Sequence, residues 1–285
     1  MKSFMDLSQF NAVADWDAAA GNVAGVILRA GYRGYGPAGT LGKDARFASH
    51  LTGAGRAGIP AGVYFVSQAV TEAEAAEEAD FTAELAGGYK ISLPVFIDSE
   101  WSHPQHTGRA DMLSAAQRTD CVLAFCARAR ALGYTPGVYA SESWFGSMLQ
   151  LKRLAGLKRW CAKYSPLRPV IACDFWQYTD SGSIPGIPGR VDLSREMSPD
   201  DDGRMRRDIA KTRGVTLSVT ARSGLRLRAA PGDGRELEKM EMGSSAAWYG
   251  YYCVKDGVKW LYVRAADGRQ GYASAEYLKE VTENG

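Results

Sequence analysis

The feature that most constrains this chain is an alternation, from Phe4 to Asp192, of short β-branched or apolar runs with longer helical stretches. Strand-length runs fall at 4–8, 25–30, 61–66, 93–98, 136–140, 159–163, 171–176 and near 190–192. Apolar runs of this length suit strands buried on both faces, and strands separated by helices are joined in parallel by crossovers. Eight of them predict an α/β fold, a (β/α)8-type barrel. Roughly 190 residues lies close to the lower limit for that fold, so the barrel is expected to be flattened and partly irregular, with helices short or missing among the late strands. The clearest helices are 72–86 and 110–132. Thr71 and Glu74 make a capping-box pattern ahead of a stripe of Ala75, Ala76, Ala79, Phe81, Ala83 and Leu85, and Gly133 ends the second helix.

Beyond Asp192 the character changes. A charged stretch holds Asp200-Asp201-Asp202 followed by Arg204, Arg206 and Arg207, with almost no apolar period. From Val215 onward, short alternating runs at 224–228, 248–252, 259–263 and 271–273 are separated by turns such as Pro231-Gly232-Asp233-Gly234, without helices. That pattern predicts a small all-β barrel. The expected organisation is therefore a barrel domain over 1–197, a linker over 198–214 and an all-β domain over 215–285.

Composition excludes several classes. Apolar residues at 46% and charged residues at 23% describe a folded globular chain. Lys and Arg number 34 against 32 Asp and Glu, and a net charge of +2 gives no field suited to nucleic acid. No run approaches the roughly 18–20 apolar residues that cross a bilayer, so no membrane insertion is expected. After Met1-Lys2 come Ser3, Asp6, Ser8, Gln9 and Asn11, with no apolar h-region, so synthesis in the cytosol without a signal peptide is expected. The five cysteines, Cys121, Cys126, Cys161, Cys173 and Cys253, form no C-x-x-C pair and read as reduced, mostly buried hydrophobes.

In a parallel barrel, function sits where the strands end, and the polar residues that end these runs are acidic. Asp98 and Glu100 follow the run 93–97 and, by strand alternation, share one side about 7 Å apart. Two carboxyls held together suppress each other's ionisation, so one is expected to be raised and to act as an acid while its neighbour stays charged. Asp6 ends the first run and Asp192 the last. Aromatics collect at the same ends: Tyr64, Tyr139, Trp160, Tyr164 and Trp176-Gln177-Tyr178. Flat rings beside carboxylates suit a sugar, with core packing as the competing role for about half of them. The glycine-rich stretch Gly31-Tyr32-Arg33-Gly34-Tyr35-Gly36 does not have phosphate-loop spacing and is expected to face substrate, with Arg33 as a binding residue. His103-x-x-His106 near Asp98 and Glu100 lacks a third ligand, so no metal is expected. Only three histidines and no G-x-S-x-G elbow leave little room for Ser-His-Asp hydrolysis.

Asp6-Leu-Ser8-Gln-Phe-Asn11, Ile27-Leu-Arg29-Ala-Gly31, Gly62-Val-Tyr64-Phe65, Pro94-Val-Phe-Ile-Asp98-Ser-Glu100, Gly137-Val-Tyr139-Ala-Ser141, Trp176-Gln177-Tyr178-Thr179 and Val191-Asp192-Leu193 together resemble glycoside hydrolase family 25, the Chalaropsis-type lysozymes. The resemblance spans about residues 3–197. It implies N-acetylmuramidase activity on the β-1,4 bond between N-acetylmuramic acid and N-acetylglucosamine of bacterial peptidoglycan, with no cofactor. It implies Glu100 as general acid/base, Asp98 as its partner, Asp6 and Asp192 as further groove acids, and Tyr64, Tyr139, Trp176 and Gln177 as substrate-binding residues; Tyr164 and Arg33 join these from the residue pattern. Residues 216–281 resemble a bacterial SH3-like cell-wall-binding domain, on Gly224-Leu-Arg-Leu-Arg-Ala-Ala-Pro231-Gly232, Trp260-Leu-Tyr-Val and Gly271-Tyr272. The expected protein is a monomeric peptidoglycan hydrolase. A substrate outside the membrane and the lack of a leader together imply a phage-type endolysin released through a separate pore, or a chain whose leader is not in this sequence. The rival reading is a non-catalytic peptidoglycan-binding protein with a degenerate barrel.

Overall fold

The computed structural model describes residues 3–102, 105–165, 168–197 and 205–281. They divide into two compact units, Met1–Glu196 and Met197–Gly285.

The first unit holds β1 (Ser3–Leu7), β2 (Val23–Arg33), β3 (Leu41–Lys43), β4 (Ala61–Val66), β5 (Val95–Asp98), β6 (Pro136–Ser141), β7 (Lys158–Ala162), β8 (Phe175–Gly182) and β9 (Val191–Glu196). The order β1-β9-β8-β7-β6-β5-β4-β2 closes through a β1–β2 pairing, while β3 is a hairpin partner of β2 alone; eight strands therefore form a closed barrel. Neighbours from β1 through β2 and β4 to β8 run parallel, and β9 is antiparallel to both β8 and β1. Five helices pack outside: α1 (Trp16–Ala20), α2 (Phe47–Arg56), α3 (Glu72–Ala86), α4 (Ala115–Ala131) and α5 (Glu142–Ser147). Among the described residues no helix joins β7 to β8 or β8 to β9.

Strand alternation sorts the core into two layers. Met5, Leu7, Val26, Leu28, Val63, Phe65, Val95, Ile97 and Val138 face the helices, while Phe4, Ile27, Phe96, Tyr139, Trp160 and Phe175 fill the barrel interior. The interior aromatics fit because β6 contributes Gly137, where a Cβ would lie 2.5 Å from the Phe96 ring.

Several local expectations shift. The helix expected over 110–132 starts at Ala115, because Ser114 caps it: its hydroxyl accepts from the Gln117 amide and the Gln117 side chain accepts from the Ser114 amide. Helix α3 keeps its expected bounds but buries Ala75, Glu78, Ala79, Thr82 and Ala86, so two polar residues displace Ala83 and Leu85 from the fully buried face. The seventh strand, expected at 171–176, begins at Phe175 instead, since Asp174 accepts from the Arg159 amide and pairs with Lys158 at the start of β7. All five cysteines are unbridged, four of them buried.

The second unit contains β10 (Arg206–Arg207), β11 (Val215–Val219), β12 (Leu225–Arg228), β13 (Glu236–Met240), β14 (Ser245–Lys255), β15 (Val258–Ala265), β16 (Gln270–Ser274) and β17 (Leu278–Glu280). Every pairing is antiparallel, in the order β13-β12-β16-β15-β14-β11-β17 with β10 on β14. Its separate core is Leu217, Val219, Leu225, Leu227, Met240, Trp248, Leu261, Val263 and small alanines. Residues 206–211, expected as linker, are instead tied to this sheet through β10 and a following turn; 198–204 lie outside the described residues. No described helix is long and apolar enough to cross a membrane.

Candidate active site

Four acids converge at the end of the barrel where the parallel strands finish. Asp6 and Asp192 are directly opposed residues of antiparallel β1 and β9. Gln177 from β8 reaches both: Nε2 donates to Asp6 Oδ1 at 3.2 Å, to Asp6 Oδ2 at 3.1 Å and to Asp192 Oδ2 at 3.4 Å. Its Oε1 accepts from the phenols of Tyr139 at 2.8 Å and Tyr164 at 2.9 Å. These bonds fix the amide, because a flipped one would turn its oxygen toward two carboxyls.

Asp98 ends β5, in register with Val66 of β4 and Tyr139 of β6. It is buried, and its Oδ1 has no hydrogen-bond partner among the described residues. Glu100, two residues on, stands exposed at the rim. Although the residue is open to solvent, the protein packed around its carboxyl partly desolvates it, and this and then the Asp192 charge push Glu100 up to about 7. Burial followed by Asp192 raises Asp6 well above the ordinary carboxyl range, and burial followed by Glu100 and Asp6 does the same to Asp98. Asp192 is raised too, chiefly by burial. All four acids therefore move upward. The nearby cation, Arg29, opposes this only in part, because its Nε is already bonded to Asp44 Oδ2 at 2.7 Å.

Below the acids lies an aromatic floor. The Trp160 indole donates from Nε1 to Ser194 Oγ at 2.9 Å. Its ring packs edgewise on Tyr139, centroids 4.5 Å apart, and on Tyr64 at 5.9 Å. Burial raises the phenols of Tyr64, Tyr139 and Tyr164, which keeps them protonated as donors.

Two expected binding residues are not brought to the acids. Trp176 alternates out of the barrel between Phe175 and Gln177; its Nε1 donates to Lys163 O at 2.8 Å and its ring lies under the Arg195 guanidinium at 4.7 Å. Arg33 is buried, donating from Nε to Glu78 at 2.8 Å, from Nη1 to Gly39 O and from Nη2 to Glu77 and Glu74 O. That guanidinium is spent on holding β2 to α3.

Sequence reasoning also missed a wall beside Glu100. Trp101 stacks between His106, with centroids at 4.0 Å, and Trp144, at 5.0 Å. With Ser141, Ser143 and Met148 they line a groove of about 400 Å³ next to Glu100. The available signals were Trp101 directly after the acid and Trp144 just past the end of β6. His106, read from the sequence as half of a weak metal motif, is part of this stack; His103 lies outside the described residues. No cluster of three His, Cys, Asp or Glu suited to a metal occurs among the described residues.

A mouth carrying raised carboxyls over an edge-packed aromatic floor has the groups needed to protonate a leaving oxygen and to support a cationic sugar. Comparison with known proteins agrees with such chemistry. The family model "Glycosyl hydrolases family 25" matches residues 5–187. Lysozyme M1 of Streptomyces globisporus is 29% identical over 168 residues, covering 55% of this chain and 56% of that protein. The modular autolysin LytC of Streptococcus pneumoniae, solved with a synthetic peptidoglycan ligand, matches at 28% identity and a TM-score of 0.59, covering 68% of this chain and 46% of that one. The CTP1L endolysin matches at 25% identity and a TM-score of 0.57, over 69% of this chain and 67% of that one. The chain thus spans about half the length of the first two relatives.

Proposed function

The chain belongs to glycosyl hydrolases family 25, and from that membership we propose that it is a peptidoglycan hydrolase of the Chalaropsis lysozyme type, an N-acetylmuramidase cutting the β-1,4 bond between N-acetylmuramic acid and N-acetylglucosamine. The observation that carries this reading is the set of four carboxyls at one barrel mouth, with Glu100 pushed up to about 7 and so able to arrive protonated at its substrate. Glu100 gives its proton to the glycosidic oxygen as the bond to the anomeric carbon breaks, and afterwards, as a carboxylate, takes a proton from the incoming water. Asp98 acts through the substrate. Its unpartnered, buried Oδ1 is an acceptor suited to the N–H of the substrate's acetamido group, whose oxygen then closes on the anomeric carbon. Desolvation that disfavours the lone Asp98 anion strengthens its attraction to the cationic sugar that develops beside it. Asp98 and Glu100 leave the same strand, which favours this substrate-assisted, retaining route over attack by a protein nucleophile across the sugar.

Gln177, Tyr139 and Tyr164 hold Asp6 and Asp192 in place, while Tyr64 and Trp160 shape the floor. The second unit reads as an SH3-like cell-wall-binding module, supported by its short antiparallel strands and by exposed Tyr249 and Tyr251. Likeness to an endolysin supports a phage-type lytic role.

Mass analysis of fragments released from defined peptidoglycan tests the reading. New reducing ends on muramic acid, first formed as the β anomer, are expected. Reducing ends on glucosamine, or free amino groups in place of reducing sugars, would contradict it.

A further inference from the structure

A second groove lies far in sequence from the acids. On the second unit, a groove of about 520 Å³ is lined by the turn 221–224, by β12 and by Lys239, Trp260, Ser274 and Tyr277. Its walls carry Arg222, Arg226, Arg228 and Lys239, and no carboxylate is among the lining residues. In a chain whose total charge is only +2, this is a pronounced local excess. Two of the cations are partly engaged: Arg226 pairs with Glu236 at 3.1 Å on the exposed side, and Arg228 donates from Nη1 to Gly234 O at 2.8 Å. Arg222 and Lys239 make no ion pair among the described residues.

The floor is as informative as the walls. Trp260 of β15 and Ser274 of β16 are directly paired across the two strands, so their side chains stand next to each other on one face. Trp260 Nε1 and Ser274 Oγ are both shielded from solvent, and neither has a hydrogen-bond partner among the described residues. A buried indole N–H or hydroxyl left unpaired costs about 1–3 kcal/mol, so two of them side by side beneath a groove mark a place where a polar ligand restores what is missing. The pair supplies one obligate donor and one group that both donates and accepts. A peptide unit matches it: its carbonyl takes the indole N–H and its N–H meets the hydroxyl oxygen. A polyol phosphate chain carries charge but has no amide N–H to offer. Arginines around the rim add forked donors that match a carboxylate.

We propose that this groove is a binding site for an extended peptide bearing a free carboxylate, with Trp260 and Ser274 taking the peptide amide and Arg222, Arg226 and Lys239 taking the carboxylate. The proposal deepens the reading of the second unit as a wall-binding module, since the peptide side chains of peptidoglycan present amides and free carboxylates together. It assigns that unit to the peptide part of the polymer, whereas the barrel acts on the sugar part.

The test is calorimetric titration of the full-length protein with a soluble muropeptide, with the same muropeptide after amidation of its carboxylates, and with a glycerol phosphate oligomer. Glu100→Gln protein is used, so that no cleavage occurs during the measurement. The free-carboxylate form is expected to bind about tenfold more tightly than the amidated form, with an affinity that falls as salt rises. The exposed double variant Arg222→Gln/Lys239→Gln is expected to remove that difference, and Trp260→Phe, which keeps a ring but deletes the N–H, to weaken both forms by about fivefold. Equal affinity for both peptides, tighter binding of the phosphate oligomer, or unchanged affinity in the double variant would overturn the assignment. Release of reducing sugars from walls by the parent protein is scored separately, so loss of the peptide site and loss of the hydrolase reading give different results.

Discussion

At the scale of single residues, the site is a problem in holding several acids together. Gln177 solves part of it by giving its amide hydrogens to Asp6 and Asp192 and its oxygen to two phenols. In its proposed role Glu100 can act as an acid only while protonated. With its value pushed up to about 7, turnover should fall about tenfold for each unit above that pH, and it should fall again on the acid side once the raised Asp98 carboxyl, whose anion the reaction uses, is protonated. The same shift has a sign for stability. A carboxyl raised on folding favours the native state when protonated, so its contribution is complete below the ordinary glutamate range and is lost as pH climbs toward 7. Glu100→Gln should therefore melt about 2–4 °C above the parent at pH 7, the effect of roughly 1 kcal/mol at an exposed rim, and match it near pH 4. A lower melting point at pH 7 would contradict the assignment. Asp6, Asp98, Glu100 and Asp192 were legible in the sequence because each ends an apolar run. Trp176 was misplaced for a reason that was also legible: adjacent residues of one strand face opposite ways, so it and Gln177 cannot both point at the acids. Arg33 was not legible, since its buried partner Glu78 is 45 positions away.

At the scale of elements, the barrel depends on how β2 is held against α3. Arg33 and Glu78 are both buried, and burial pushes Glu78 up to about 7 even with the guanidinium beside it. Removing one partner strands the other. Arg33→Met should cost about 3–5 kcal/mol in urea unfolding, whereas Ser114→Ala, which removes only the cap of α4, should cost about 1 kcal/mol. Equal losses would show that the ion pair is not what joins these elements. Local chemistry made most of this architecture readable: the Thr71 cap set the start of α3, and the runs at 61–66 and 136–140 became β4 and β6 with little change. The short hairpin strand β3 and the late start of β8 were not readable, because both are set by where they pair with the preceding strand rather than by an apolar run of their own.

At the scale of the whole molecule, two units with separate cores divide the chain: a closed α/β barrel whose mouth gathers carboxyls, and an antiparallel sheet with a groove that gathers cations. The opposite charge of these two sites disappears in the near-neutral total, which is why composition alone revealed neither. On the proposed reading, the barrel cuts wall glycan with Glu100 as its acid. The most direct test compares release of reducing sugars from purified cell walls by the parent and by Glu100→Gln, with circular dichroism confirming an unchanged fold. The account predicts a drop of about 10³-fold or more for the variant; reducing-sugar release at the parent rate from a folded Glu100→Gln protein would contradict it.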